Sequence, residues 1–170
     1  VSELEEKGYI EGAINIPLND FGKHVDLLPA LDTPIVVYCA AGWRAAIGGT
    51  ALGALGYTDV KILTGGSFGG WVDAGYPTVA GLPEAVSLNA ANPDPAMLAT
   101  IDAMLSALPE GWGVIKTDEL NQEIIENPDL ILIDVRRAEE VEEKGEIEGA
   151  IQIPLESFID LKDQWPEDKE

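Results

Sequence analysis

The residues best placed to do chemistry are Cys39 and Arg44, in the stretch IVVYCAAGWRAAIGGTALGALGY. An apolar run, Ile35–Tyr38, reads as a buried strand that delivers Cys39 to its carboxyl end, and a helix is expected over Arg44–Leu55. In open α/β sheets the crevice beyond the carboxyl ends of strands is where ligands bind. The small residues Ala40, Ala41 and Gly42 let the backbone curl, so that successive amides can point inward as an anion-binding nest. The helix N-terminus adds positive potential and Arg44 a full charge with fork geometry. All of these favour a thiolate, the nucleophilic form of cysteine. The competing reading is that Cys39 is a small buried core residue, the usual fate of a lone cysteine. Ala45, Ala46, Ile47 and Leu52 read as helix-on-sheet packing. Gly48, Gly49 and Gly53 are expected to allow close helix–sheet contact.

The elements that must position this loop are organised by a repeat. Glu3–Phe21 (ELEEKGYIEGAINIPLNDF) and Glu140–Phe158 (EVEEKGEIEGAIQIPLESF) are two copies of one segment, offset by 137 residues. Aligned without gaps, Val1–Thr33 and Ala138–Glu170 share 16 identities in 33 positions. A solenoid repeats every ~20–50 residues, so this period matches a whole domain with its linker. Three regions follow. Residues 1–81 are the C-terminal part of one domain, carrying the cysteine loop. Residues 82–112 are a linker, with a Pro/Asn-rich loop and an amphipathic helix over Ala96–Leu108. Residues 113–170 are the N-terminal part of a second domain. In the linker helix, Met97, Leu98, Ile101, Met104, Leu105 and Leu108 share one side, which fits packing on a domain rather than a cofactor box.

Strands are expected at Ala13–Pro17, Ile35–Cys39 and Val60–Leu63 in the first copy, and at Gly113–Lys116, Leu130–Val135 and Ala150–Pro154 in the second. A helix over Glu119–Glu126 is opened by Thr117 or Asp118. The near-continuous apolar runs IVVY and LILI suit strands buried on both faces of a parallel sheet, and alternation with helices indicates α/β architecture.

Composition excludes several roles. The 170 residues include 31 Asp or Glu and 10 Lys or Arg, a net charge of −21. Such a polyanion repels nucleic acid and anionic membrane. No segment approaches the ~20 uninterrupted apolar residues of a membrane helix. The acid concentrates in residues 118–170, which hold 18 acidic and five basic residues. That reads as a solvated helix face or a surface for a basic partner. One cysteine allows no intrachain disulfide. No His, Cys or carboxylate cluster has metal-ligand spacing, so no metal or cofactor is expected. The chain opens on Val1 with nothing resembling a signal sequence, and cytoplasmic and extracytoplasmic locations both stay open.

The motifs carry a resemblance. Cys39, Gly42 and Arg44 match a Cys-x-x-Gly-x-Arg loop, and VKILTGGSFGGWVDAGYP matches a following Gly-Gly…Trp…Gly-x-Pro segment at Gly65, Gly66, Trp71, Gly75 and Pro77. Asp134, Val135 and Arg136, with GYIEGAINIP and GEIEGAIQIP, match the upstream part. Together they resemble the rhodanese-type sulfurtransferases, specifically a tandem rhodanese protein cut out of phase. Tyr9 and Glu146 stand where the family commonly has His, one extra residue lies between Gly66 and Trp71, and Ala45 replaces a common Ser.

The resemblance implies a parallel five-stranded sheet flanked by helices, in spatial order 1-5-4-2-3. Neither copy holds all five strands, whereas residues 1–137 hold each once in permuted order. The expectation is one composite domain, circularly permuted within a chain or swapped between chains as a homo-oligomer. Two partial domains of a longer tandem protein is the rival.

The resemblance also implies a two-step sulfur transfer through a persulfide on Cys39. A small anionic donor such as thiosulfate supplies sulfur, and a thiol or cyanide accepts it. The loop residues Ala40, Ala41, Gly42, Trp43 and Ala45 would line the site, and Asp134 and Arg136 would support it by fixing a strand end. Four residues between Cys39 and Arg44, against five in the related phosphatase loops, favour sulfur over phosphate. A non-catalytic docking or sulfur-carrier module is the alternative.

Overall fold

The computed structural model describes residues 2–166, so Val1 and residues 167–170, the outer ends of the two predicted domain segments, lie outside it. Two compact units form, Val1–Val114 and Ile115–Glu170.

In the first unit, strand β1 (Ile35–Val37) pairs in parallel with β2 (Val60–Ile62), with Ile35 opposite Val60 and Val37 opposite Ile62. Helix α2 (Trp43–Ala54) connects them. Alternation along a strand puts Ile35 and Val37, with Val60 and Ile62, on one sheet face. Helix α2 covers that face, burying Ala45, Gly48, Gly49, Ala51 and Leu52. A Cβ built on Gly49 would lie 2.8 Å from Ile62 Cγ1, so this position lets the helix lie close to the sheet. Gly48 has ordinary room, and Gly53 faces open space, so the predicted close contact holds at Gly49 and not at Gly53.

Helix α4 (Pro95–Ser106) packs against a 3-10 segment, Leu18–Leu27. Asp94 caps it by accepting from the Met97 amide at 2.9 Å, and Pro95 sits in the first turn, where no amide partner is needed. Asp102 accepts from the Gly22 amide at 3.2 Å and ties the two segments together. Leu18, Phe21, Leu28, Ala51, Leu52, Leu55, Tyr57, Ile101 and Leu105 form the core. Leu105 is fully buried, a burial that contributes about 1.5–3 kcal/mol. The α4 stripe is narrower than the sequence suggests. Ile101 and Leu105 are buried, but Met97 and Met104 are exposed, because they flank the Leu98–Ile101–Leu105–Leu108 ridge rather than lie on it.

Two further short helices complete the unit. Helix α1 (Ser2–Lys7) precedes the loop that carries Tyr9, and α3 (Phe68–Asp73) follows β2. Tyr9 exchanges backbone hydrogen bonds with Val79 at 2.9 and 2.8 Å.

The second unit has α5 (Thr117–Glu126), β3 (Ile133–Asp134), α6 (Ala138–Lys144) and β4 (Ile151–Gln152), with β3 and β4 paired in parallel. Glu119 Oε2 accepts from the Lys116 amide at 3.2 Å and stabilises the start of α5.

Among the described residues the strands form two two-stranded sheets, and they are shorter than the apolar runs predict. Ala13–Pro17 is not a strand. Its counterpart, Ile151–Gln152, is one because Ile133–Asp134 pairs with it, whereas among the described residues no strand pairs with Ile14–Asn15. A β-ladder needs a second strand to satisfy its amides and carbonyls. Gly113–Lys116 likewise forms no strand; a 3-10 turn spans Glu110–Gly113 instead.

Nor are the IVVY and LILI runs buried on both faces. Val36 is 60% exposed, and Ile131 and Ile133 are exposed too, since a two-stranded sheet lacks the neighbours and second layer that would cover them. The repeat shows the same effect in side chains. Leu18 is buried under α2 and α4, whereas its counterpart Leu155 is 71% exposed, with no helix over it among the described residues.

Candidate active site

Cys39 sits two residues beyond β1 and four before the first residue of α2, half-buried. The chain must reverse sharply in between, and Gly42 does so at φ +114°, a left-handed conformation costly for any residue with a Cβ. The turn aims amides at the sulfur. Gly42 N–H donates to Cys39 Sγ at 3.0 Å, and the amides of Ala45 and Ala41 also act on it. Burial pushes the thiol up, but the Ala45, Gly42 and Ala41 amides together with the Arg44 charge outweigh it. The net result is a thiol held below its ordinary range.

A second segment clamps the loop from behind. Ser67 is 1% exposed, and its Oγ accepts from the Cys39 amide at 3.0 Å. The Phe68 amide donates to the Cys39 carbonyl at 2.9 Å, and the Gly69 amide to that of Ala40 at 3.2 Å. Tyr38 stacks on Phe68 with ring centroids 5.9 Å apart, and its hydroxyl accepts from the Ile10 amide at 3.2 Å. Ser67 and the first two residues of α3 thus hold Cys39 through two hydrogen bonds and Ala40 through a third. Further along, Trp71 Nε1 donates to the Pro77 carbonyl at 2.9 Å and the ring packs on Tyr76, fixing the chain's exit.

The mouth of the site is a cavity of about 390 Å³ lined by Glu3, Cys39, Ala40, Ala41, Trp43, Arg44 and Trp112. Both terminal nitrogens of Arg44 donate to the carboxylate of Glu3, at 2.8 and 2.9 Å. The Arg44 guanidinium carbon lies 5.8 Å from the centre of the Trp112 ring, within cation–π reach. Trp43 is 63% exposed at the rim.

Of the residues singled out in the sequence, Cys39, Ala40, Ala41, Trp43 and Arg44 line one cavity, and Gly42 and Ala45 contribute amides to it. Ala45, which replaces the Ser of the resembling motif, has its side chain buried. Asp134 and Arg136 are in the second unit. There Arg136 Nε and Nη2 grip the Asp134 carboxylate at 2.5–3.0 Å, and Nη2 also donates to the Gly145 carbonyl at 2.9 Å. Sequence reasoning missed Glu3, Ser67 and Trp112. Only Ser67 carried a local signal, lying directly after the matched Gly65–Gly66 pair.

The family described as "Rhodanese-like domain" matches residues 2–74 and 116–170. The chain belongs to the rhodanese-like domain family. The two matched segments bracket residues 75–115, consistent with the repeat. Two solved structures similar to this rhodanese-like chain are SseA from Escherichia coli and the thiosulfate sulfurtransferase from Pseudomonas aeruginosa. The first, described as a rhodanese-fold 3-mercaptopyruvate sulfotransferase, is 21% identical. The comparison covers 89% of this chain and 61% of SseA, with a TM-score of 0.43. The second is 25% identical over 96% of this chain and 31% of its own, with a TM-score of 0.41. The chain therefore spans less than two thirds of either neighbour. No curated protein sequence matches it. Among the described residues, no group of His, Cys, Asp or Glu could hold a metal ion, and no helix is long and apolar enough to cross a membrane.

Proposed function

We propose that this rhodanese-like chain is a sulfurtransferase that moves sulfane sulfur from a donor such as thiosulfate to a thiol or cyanide through a persulfide on Cys39. The observation that carries the reading is the convergence of the Ala45, Gly42 and Ala41 amides and the Arg44 charge on one sulfur. In the first step the Cys39 thiolate attacks the outer sulfur of thiosulfate. A new S–S bond forms, the donor's S–S bond breaks, and sulfite leaves with the electron pair, so the charge of −1 on cysteine reappears on the persulfide. The inward amides stabilise the anion in both states without reorganising. In the second step an acceptor thiolate or cyanide takes the outer sulfur and the Cys39 thiolate is regenerated.

Incubating the chain with thiosulfate tests this by mass spectrometry. A gain of one sulfur atom is expected in the wild type and not in Cys39→Ala. No gain would leave the alternative, a docking or sulfur-carrier module for a protein partner.

A composite domain, completed within one chain or by strand exchange between two, is part of the same proposal. It is supported by the unpaired copy Ile14–Asn15 and by the exposure of Val36, Leu155 and Ile159. Unpaired edges of this kind invite pairing with another strand. A concentration-dependent dimer in light scattering supports exchange, and a compact monomer with residues 115–166 protected from hydrogen exchange supports completion within the chain. A monomer with those residues unprotected overturns both.

A further inference from the structure

Among the described residues, the one cation lining the Cys39 cavity is already engaged by a carboxylate. Glu3 takes both Arg44 terminal nitrogens in a fork-on-fork pair, the geometry a bidentate oxyanion would otherwise occupy. Glu3 is half-exposed and Arg44 less so, and Trp112 lies over the guanidinium, which leaves Arg44 few open directions. With Cys39 ionised, the lining side chains carry one more negative than positive charge.

The same glutamate has a different partner in the second copy. Glu140, the counterpart of Glu3, instead accepts from the backbone and Nε of its neighbour Arg137, both at 3.2 Å. Trp112 is itself held at φ +65°, rare for a bulky residue and characteristic of sites where the surroundings impose a conformation.

We propose that Glu3 is a specificity-determining residue that withholds Arg44 from small anionic sulfur donors and biases the site towards donors whose sulfane sulfur sits on an uncharged organic carrier. The inference rests on the sulfurtransferase reading for its choice of donors. A dianion such as thiosulfate must displace Glu3 or approach a mouth of net negative charge. An organic persulfide carries one charge at most, as R–S–S⁻, and none in the protonated form R–S–SH, so it meets a lower barrier than a dianion, and Trp43 and Trp112 offer apolar walls to R. The transfer balances: the Cys39 thiolate attacks the terminal sulfur, the donor's S–S bond breaks, R–S⁻ leaves, and Cys39–S–SH remains.

The test compares two alkylating probes of Cys39 that differ only in charge, iodoacetate and iodoacetamide. Any change in the thiolate fraction affects both equally, so the ratio of their rates reads the charge at the mouth. Glu3→Gln is expected to raise the iodoacetate-to-iodoacetamide ratio by about three- to tenfold, the size of one partly screened charge a few ångströms away. Glu3→Asp, which keeps the charge, is expected to stay near the wild-type ratio. An unchanged or lower ratio in Glu3→Gln overturns the proposal, as does an equal rise in Glu3→Asp, which would assign the effect to loosened geometry. In parallel, Glu3→Gln is expected to lower the KM for thiosulfate by a similar factor. A raised alkylation ratio with no sulfur loading from any donor would sustain the electrostatic role of Glu3 and defeat the sulfurtransferase reading instead.

Discussion

The amide of Gly42 donates to the sulfur of Cys39 across a three-residue turn at 3.0 Å, and the same glycine is the last residue before helix α2. The bond that stabilises the thiolate and the conformation that starts the helix are therefore one feature. Gly42→Ala tests both. A Cβ there meets nothing within 4 Å, so the cost is backbone strain alone, roughly 1–2 kcal/mol. Urea denaturation should show a loss of that size, accompanied by slower alkylation of Cys39 at neutral pH.

The pH profile of alkylation follows from the lowered Cys39 pKa. A thiol held below its ordinary value is ionised over a wider pH range, so the rate should reach half its maximum at lower pH in the native chain than in the urea-unfolded one. Arg44→Gln removes one of the stabilising charges and should move the native midpoint upward. Iodoacetamide kinetics across the pH range, with and without the substitution, check both the sign and the shift.

Ser67→Ala removes the acceptor for the Cys39 amide in a place with almost no access to water. An amide left unsatisfied there costs about 1–3 kcal/mol. The midpoint of thermal unfolding should fall accordingly.

Two glycines of the same helix should respond oppositely to alanine. Gly49→Ala drives a Cβ into Ile62 and should destabilise by about 1–3 kcal/mol, the usual range for overpacking. Gly53→Ala enters open space within a helix and should stabilise by about 0.5–1 kcal/mol. Paired denaturation curves decide whether α2 is held against the sheet at the point described.

What could be read in the sequence was whatever is local or repeated. Cys39 at a strand end, the small-residue turn and Arg44 at the helix start all lie within ten residues, and their geometry is set by short-range rules. The 137-residue offset was legible because it is a property of letters alone. Glu3 was not, because its partner is 41 residues away and nothing in SELEEK distinguishes one glutamate from the next. Strand lengths failed for a related reason. Ile14 and Ile151 sit in near-identical peptides, but only the second has a neighbour to pair with, and a ladder depends on both strands. The exposed Met97 and Met104 show the limit of helical periodicity, which finds a stripe but not its width.

The contrast between Leu18 and Leu155 means that one chain values the same letter twice and differently. Truncation to alanine should cost about 2–5 kcal/mol at Leu18, beneath two helices, and little at Leu155 as long as no second strand or chain covers it. The cost at Leu155 therefore reads directly whether the composite domain has formed.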